Sequence, residues 1–562
     1  MLTSSEPEDF NLIDSPWITV KKLNHEELTL SLKETLAQAG SIRALAHEDA
    51  LMDTAILGVL QVCFMRGHLA KIAQTQAIDT FRPTSWIKEQ LKTETASQQP
   101  VLDYLNIPEI KERFNLFDKT RPFMQVAGLQ TSNGKSKPIS TIIYDSNSDH
   151  FSMRASKGKE SISYAEAACR LITAQAYDYS GIKSGALGDP RVKGGRGYPI
   201  GTGWYGNTGK IIIHGQNLLE TLIFNSPIDS MFALAYDATG NPYYALFDDA
   251  PVWERSPDTS SSRNSEGDPV TPTGPCDVLT WQSRRIRLIP NRGRVESVLV
   301  CNGDKISDRF IDAANRYDPW TGYRYSKNQS SKTQEVWMPL HHSPERTLWR
   351  GLEALITLKD QSEGSQQPKK PETISQLGKY FPAEHPIKVQ LVGAVYGTQN
   401  ALIEGSINQI LPLELASLSE NYPEHQSCIL ESARKTMDAA VLLGQYAGQL
   451  LRAAGAEYSF QPKPTEAVLH RLENDFRSWL ASISSQQSTE ENKKSWQLIA
   501  SAVLSQEIER LAAGAGRKAA IGTIDSTGKL LNTATAQGYA YRSLKKIFPL
   551  AYPKPAAKEA SQ

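Results

Sequence analysis

The sequence lacks three features: an excess of charge of one sign, closely paired cysteines and a long apolar run. Its 562 residues carry 61 basic and 61 acidic side chains, so the formal net charge is zero. A protein without an overall positive field binds nucleic acid only through local patches, or within an assembly that supplies the field. The length exceeds what one hydrophobic core usually organises, which predicts two or three domains.

The cysteines are few, and none belongs to a CxxC pair. Because their number is odd and their spacing wide, a disulfide framework and a structural zinc site are both disfavoured, and a reducing cytoplasm is indicated. The opening MLTSSEPEDFNL has no apolar signal core. The longest apolar stretch, Thr54–Met65, is shorter than the roughly 20 residues of a membrane helix, and it is interpreted as a buried helix. We expect a soluble cytoplasmic protein that makes no membrane contact. The cysteines are Cys63, Cys169, Cys276, Cys301 and Cys428.

Glycine is concentrated in one segment, where ten glycines fall between Gly181 and Gly209. A backbone without Cβ atoms can approach another surface closely. Cations accompany these glycines and only Asp189 opposes them, which favours contact with the phosphates of a nucleic acid. A second cationic region runs from Arg284 to Arg350, for which a solvated face is the alternative interpretation. The cations of the glycine segment are Lys183, Arg191, Lys193, Arg196 and Lys210.

No motif in the chain requires an enzyme. Residues Gly201–Gly206 match GxGxxG, but a predicted strand follows them, whereas a dinucleotide site needs a helix there. Gly128–Ser136 resembles a P-loop with one residue too many between its glycines. The histidines are dispersed, and no triad or metal-ligand spacing is present. We therefore predict no catalytic residue, metal or cofactor.

Periodicity predicts an α+β fold with two domains. Lys210–His214, Glu296–Cys301 and Lys388–Val395 have the composition of strands, and no regular βαβ alternation appears. The polar segment Ser256–Gly274 is predicted to be a mobile surface loop. Helical spacing marks the C-terminal part, which predicts a mixed domain over residues 1–405 and a four-helix bundle over 406–562. The four predicted helices are Ile429–Arg452, Glu466–Ile483, Ser495–Ala513 and Ala534–Phe548.

Four segments in order resemble one known family. They are FNLIDSPWITV (Phe10–Val20), PFMQVAGL (Pro122–Leu129), GIKSGALGD from Gly181, and VYGTQNALIEG (Val395–Gly405). The chain resembles CasA, the large subunit of the type I-E CRISPR surveillance complex Cascade, along nearly its whole length. The resemblance implies a large mixed N-terminal domain of unusual topology and a C-terminal four-helix bundle.

The resemblance also implies a function, which is not catalytic. Members of this family recognise the protospacer-adjacent motif in double-stranded DNA through the minor groove and help to open the duplex for crRNA pairing. They also recruit the helicase–nuclease. The implied partners are target DNA, the other Cascade subunits with their crRNA, and that helicase–nuclease. Two alternatives stay open: a nucleic-acid-processing enzyme such as a nuclease, and a purely structural scaffold subunit.

Three DNA-reading elements of the family are carried over onto this sequence. The glycine loop corresponds to Tyr179-Ser180-Gly181, with Lys183 just beyond it, and the lysine finger corresponds to Lys305. The glutamine wedge corresponds to Gln399, between Thr398 and Asn400. The residue of the glycine loop that touches DNA is left open. A family loop that becomes ordered on binding would lie around Tyr144–Lys159.

Overall fold

The structure is a computed structural model, and its described residues form two compact units. It describes residues 9–92, 97–144, 160–264, 269–307, 309, 317–342, 369–419, 421–484, 487–524 and 528–552. The larger unit takes the described residues of Met1–Glu345, Ser362–Tyr380 and Ile387–Ile410, and the smaller unit those of Phe381–Pro386 and Leu411–Gln562. The predicted boundary at residue 405 lies inside a strand, Ile403–Glu414, that continues from one unit into the other.

Helices and short sheets are mixed in the larger unit, so the predicted α+β class is confirmed. Its helices are α1 (Leu32–Ala37), α2 (Ala50–Thr75), α3 (Pro83–Gln90), α4 (Gln99–Leu105), α5 (Pro108–Arg113), α6 (Tyr164–Tyr177), α7 (Leu218–Phe224), α8 (Ile228–Met231), α9 (Pro275–Leu279), α10 (Glu372–Ser375) and α11 (Leu377–Tyr380). Its strands, the last of which ends in the smaller unit, are β1 (Ile18–Lys22), β2 (Glu27–Leu30), β3 (Ile42–Leu45), β4 (Lys137–Pro138), β5 (Ile162–Ser163), β6 (Lys183–Ser184), β7 (Arg196–Gly197), β8 (Lys210–His214), β9 (Leu234–Tyr236), β10 (Pro242–Tyr244), β11 (Arg284–Asn291), β12 (Arg294–Asn302), β13 (Tyr323–Tyr325), β14 (Trp337–Pro339), β15 (Pro386–Tyr396) and β16 (Ile403–Glu414).

Helix α2 forms the centre of the larger unit and contains the predicted buried segment. Asp49 caps it, because its carboxylate accepts hydrogen bonds from the N–H groups of Leu51 and Met52. At 26 residues the helix is longer than the apolar stretch, and its length and composition would suffice to cross a membrane. However, 94% of the most apolar 18-residue stretch of this helix is buried inside the protein. The helix is apolar on every side because it is surrounded by protein.

Two antiparallel pairings position the segments of interest. Strand β12 pairs with β11 in the order β11-β12-β4, and this register places Arg284 opposite Asn302. Strand β15 lies between β8 and β16, so the turn from β15 to β16 is a hairpin turn. All three strands predicted from composition are present, within β8, β12 and β15. The remaining sheets are β2-β1-β3, β6-β7, β9-β10 and β13-β14.

The polar segment Ser256–Gly274 differs from its prediction as a mobile surface loop. Arg263 Nη1 lies 3.0 Å from the carboxylate of Asp277, and its Nε lies 2.9 Å from that of Asp304. The side chain of Asp258 is also buried, with Arg285 Nη1 at 3.6 Å. The prediction is wrong for these residues, because charges that looked solvated in the sequence pair with charges buried in the fold.

The smaller unit contains the four predicted helices. These are α12 (Pro423–Ala453), α13 (Pro462–Ser482), α14 (Thr489–Gly514) and α16 (Thr533–Ile547), and the connection before the last also holds α15 (Gly516–Ile521) and the pair β17 (Thr523–Ile524) and β18 (Leu530–Leu531). Trp496 is fully buried, and its ring lies 4.9 Å from that of Phe476 and 5.4 Å from that of Trp479. Its indole N–H donates to Thr436 Oγ1 at 2.9 Å. Aromatic rings from two helices and a hydroxyl group from a third therefore share one core.

Because this core lies within one unit, residues 411–552 expressed alone should form a folded helical domain. Circular dichroism should show a cooperative thermal transition, and Trp496→Ala should lower the free energy of unfolding by about 3–5 kcal/mol. The absence of a cooperative transition in the unsubstituted fragment would contradict this prediction. The fragment should bind random duplex DNA only weakly, because the chain from Ala401 onward has 17 basic against 16 acidic side chains.

Candidate nucleic-acid interface

The predicted glycine loop begins where α6 ends. Ser180 is half-buried, and its N–H donates to the carbonyl of Asn400 at 2.8 Å. A Cβ atom added at Gly181 would meet only the ring of Tyr179, at 3.6 Å, which is ordinary van der Waals contact. The φ angle of Gly181 is not in the left-handed region either. The described fold therefore leaves space at Gly181 that it does not need for its own packing.

The predicted wedge lies at the tip of the β15–β16 hairpin. Thr398, Gln399 and Asn400 are all exposed. Gln399 and Asn400 have φ angles of 57° and 55°, and the N–H of Ala401 donates to the carbonyl of Thr398 at 3.2 Å. Two consecutive left-handed residues are typical of a type I′ turn, in which Asn-Gly is preferred. A glutamine in this conformation carries strain of about 1–3 kcal/mol.

Lys305 follows strand β12, with an anchored backbone and an exposed side chain. Its carbonyl accepts a hydrogen bond from the N–H of Val270 at 2.7 Å. The neighbouring Asp304 is buried and accepts from Arg285 Nη2 at 2.8 Å and from Arg263 Nε at 2.9 Å. The backbone of Lys305 is therefore fixed from both sides while its ammonium group is left in solvent.

The three predicted elements lie together in the larger unit. Ser180 is hydrogen-bonded to Asn400, next to the wedge residue. Ser180 and Lys305 also line the same cavity. The structure thus brings together residues that are separated in the sequence by more than a hundred positions, whereas most of the predicted loop Tyr144–Lys159 lies outside the described residues.

Arg284 holds the backbone on which this surface is built. The guanidinium is 1% exposed and pairs with the carboxylate of Asp178. Its Nη2 donates to the carbonyl of Tyr179 at 3.0 Å and to that of Gly201 at 2.7 Å. One buried arginine therefore joins the start of the glycine loop to the glycine segment further along the chain.

Lys183 does not lie where the sequence suggested. It is 4% exposed, its Nζ lies 2.7 Å from the carboxylate of Asp178, and it stacks 3.8 Å above the ring of Tyr179. Burial lowers the pKa of Lys183 to about 8, although the carboxylate of Asp178 opposes that shift. The expectation of a direct DNA contact is corrected, because this ammonium group faces the protein interior and supports the loop from beneath.

Other cations of the glycine segment are internal as well. Lys210 is fully buried and pairs with Asp318, while Arg191 pairs with Asp189 at 2.9 Å. Lys193 and Arg196 are exposed. Arg284 and Arg285, which open the second cationic region, are both 1% exposed and are neither a solvated face nor a DNA-binding one. The sequence did not predict that Arg284 and Asp178 support the glycine loop, because their partners are remote in the chain.

The described residues contain no group of three or more His, Cys, Asp and Glu side chains placed to hold a metal ion. The candidate surface instead consists of the half-buried glycine loop, the exposed Lys305 and a glutamine at the tip of a hairpin. These groups can donate hydrogen bonds to acceptors and insert between stacked planar groups. The arrangement is typical of a binding surface.

The fold is that of a known class of CRISPR-associated proteins. The structure of Cse1 from Thermobifida fusca matches with a TM-score of 0.82 and 30% sequence identity, covering 97% of this chain and 99% of that one. Cse1 from Acidimicrobium ferrooxidans matches with a TM-score of 0.76 at 22% identity, covering 97% and 99% of the two chains. A chain of a CRISPR RNA-guided surveillance complex shares the fold with a TM-score of 0.66 at 15% identity, covering 96% and 100%.

Residues 11–506 match the family model described as CRISPR-associated protein Cse1, and the chain belongs to this family. The CasA/Cse1 protein of Thermus thermophilus is 25% identical over 354 residues, which span 62% of this chain and 60% of that relative. The resemblance to the large Cascade subunit CasA is therefore confirmed.

Arg284 should be more important for the surface than Lys183. Arg284→Lys keeps a charge beside Asp178 but loses the bonds to the carbonyls of Tyr179 and Gly201. The substitution should lower the free energy of unfolding by about 2–4 kcal/mol, because two half-buried carbonyl groups lose a charged donor. Lys183→Met should cost less, since Arg284 still neutralises Asp178. Chemical denaturation of both variants checks the order, and equal losses would contradict the assignment.

Proposed function

We propose that this chain is a non-catalytic subunit of the type I-E Cascade complex that recognises the protospacer-adjacent motif in double-stranded DNA. One observation carries the proposal: Ser180, Lys305 and the hairpin tip at Gln399 lie together, with Ser180 bonded to Asn400. In this function the chain reads the motif through the minor groove, starts duplex opening for crRNA pairing and recruits the helicase–nuclease. We assign no catalytic residue to it.

The dimensions of the minor groove suit these elements. The groove is about 6 Å wide and presents mainly acceptors, to which guanine adds one donor. Gly181 lets a backbone approach the groove floor, and Lys305 supplies one long cationic side chain. Because the groove pattern is degenerate, reading by a backbone group and one lysine should tolerate several related motifs.

The hairpin tip supplies the means of opening the duplex. A side chain inserted between base steps unstacks them at a cost of a few kcal/mol. Gln399 is exposed at a turn whose backbone is held by the hydrogen bonds from Gly397 N–H to the Leu402 carbonyl at 3.0 Å and from Asn400 N–H to the Gly397 carbonyl at 2.9 Å. Because the tip is already ordered, its insertion into DNA loses little further conformational entropy.

The composition suits a subunit that acts within an assembly. With a net charge of zero the chain alone attracts duplex DNA weakly, so guide-loaded partner subunits provide the remaining affinity. The smaller unit exposes Ile521, Ile524 and Leu530 by 70%, 74% and 52%, and β17–β18 pairing places the last two opposite each other. Adjacent exposed apolar side chains are typical of a contact surface. We place the protein in the cytoplasm, with Cascade subunits, crRNA and the helicase–nuclease as partners.

Substitution of Gln399 tests the wedge. Gln399→Gly removes the side chain and also relieves the left-handed backbone, so a loss of function cannot come from a destabilised turn. The variant should slow R-loop formation on linear duplex by about tenfold, as expected if the wedge offsets about 1.4 kcal/mol of unstacking. Stopped-flow measurement on guide-loaded complexes gives the rate, with Gln399→Ala as a second variant.

A target that is already unpaired next to the motif provides the control for this experiment. On this target both Gln399 variants should form the R-loop at the wild-type rate, because the first base pair next to the motif is already separated. Equal defects on the paired and the unpaired target would overturn the wedge assignment.

Substitution of Lys305 and Gly181 tests motif reading. Lys305→Ala should weaken duplex binding and, if the ammonium group contacts phosphate, make the slope of log affinity against log salt shallower by about one unit. If the ammonium group reads the groove edge, motif discrimination should change while the slope stays constant. Gly181→Asp should weaken binding through charge repulsion and steric overlap.

Lys327→Ala is the matched control, because Lys327 is an exposed lysine of the same unit outside the candidate surface. It should bind like the unsubstituted protein. Wild-type slope and wild-type motif discrimination in Lys305→Ala would show that another cation reads the DNA.

A further inference from the structure

A cavity of about 230 Å³ lies beside the glycine loop and Lys305 in the larger unit. Its apolar lining comes from Trp204, Trp281, Ile200 and Ile306. Pockets that enclose drug-sized ligands have volumes of about 300–1,000 Å³. This smaller cavity therefore has room for one compact ring system, and a dinucleotide is too large for it.

Three polar side chains at the cavity are available to a ligand. Within the described part of the chain, the Ser180 hydroxyl, the Asn207 amide and the Lys305 ammonium group make no hydrogen bond or ion pair. The other polar lining is already used. Ser283 Oγ accepts from the backbone N–H of Trp204 at 3.2 Å, Asp304 pairs with arginines, and Thr202 is hydrogen-bonded to Tyr396. An amide offers both donors and an acceptor, and an ammonium group suits a phosphate.

We infer that this cavity binds one unpaired nucleotide of the displaced DNA strand next to the motif. Pockets that hold an extrahelical base combine apolar or aromatic walls with hydrogen bonds to the base edge. Here the tryptophans and isoleucines provide the walls, and the Ser180 hydroxyl and the Asn207 amide are available to the base edge, while Lys305 at the rim stays with the duplex next to the motif. The cavity was not expected from the sequence, in which Asn207 is one polar residue of the glycine segment.

The inference rests on the proposed function, which supplies the unpaired strand. Guide RNA pairs with the complementary strand, so the bases left without partners belong to the opposite strand. Ser180, in the cavity lining, is bonded to Asn400, so a base displaced by Gln399 is released close to the cavity. Capture of that base opposes re-annealing and keeps the first opened position open.

Photocrosslinking tests the site in the assembled complex. Guide-loaded complexes containing this chain are mixed with a target whose displaced strand carries 5-iodouracil at one of the first few positions beyond the motif. The target is unpaired at these positions from the start, so that strand opening is not required. After irradiation, mass spectrometry should find a crosslink at one position to the peptide that contains Trp204 or Trp281. Crosslinks elsewhere in the chain, with none at these peptides, would overturn the inference.

Variants connect the crosslink to the cavity. Asn207→Leu keeps a similar volume without hydrogen bonds and should reduce the crosslink by about fivefold or more, as for the loss of a base-edge contact. Ile200→Trp fills the cavity and should reduce it independently, which keeps the test decisive if one variant folds poorly. Asn328→Leu, at an exposed asparagine outside the cavity, should leave it unchanged. An unchanged crosslink in both cavity variants would refute the site.

The same complexes separate this inference from the proposed function. Binding of fully paired duplexes that differ only in the adjacent motif reports motif reading, and the cavity variants should retain that discrimination. A loss of all motif dependence in the unsubstituted complex, together with an intact crosslink, would reject the proposed function and support the nucleotide site.

Discussion

The buried guanidinium of Arg284 is the interaction on which the candidate DNA surface depends. It neutralises Asp178 and donates to the carbonyls of Tyr179 and Gly201, so it fixes the glycine loop at its start and at a distant second point. Lys183 adds a second cation to the same carboxylate from beneath the loop. A buried charge pair contributes little net stability, but it strongly disfavours arrangements that leave either charge unpaired. The three charged groups of Arg284, Asp178 and Lys183 therefore specify one geometry of the glycine loop.

Two kinds of backbone order meet at this surface. The glycine loop and Lys305 are held by buried charges and hydrogen bonds, whereas the hairpin tip keeps Gln399 in a left-handed conformation that a glutamine seldom adopts. Strain of this kind persists only where the surrounding structure over-determines it, and it is concentrated at functional sites. The bond between Ser180 and Asn400 connects the two parts, so the proposed reading and the proposed opening would act at neighbouring positions of one duplex.

Much of the fold could be predicted from the sequence, because its periodicities are strong. The β-branched run of β8 and the apolar spacing of α12, α13, α14 and α16 lead to the elements that the structure contains. The fate of individual charges could not be predicted, since Arg284 finds Asp178 across 106 positions and Lys210 finds Asp318 across 108. Several lysines and arginines that composition alone suggests are surface cations are therefore buried in the folded protein. The wedge position followed from the family resemblance, and its strained backbone has no sequence signal comparable to Asn-Gly.

The central proposal is that this chain reads the motif within a larger RNA-guided assembly. The most direct test measures target binding by guide-loaded complexes, with and without this protein, over a panel of adjacent trinucleotides at fixed salt. We expect that a small group of trinucleotides supports tight binding only when the protein is present, and that binding without it is weak and independent of the trinucleotide. Equal dependence on the trinucleotide with and without the protein would contradict the account, because motif reading would then reside in another subunit.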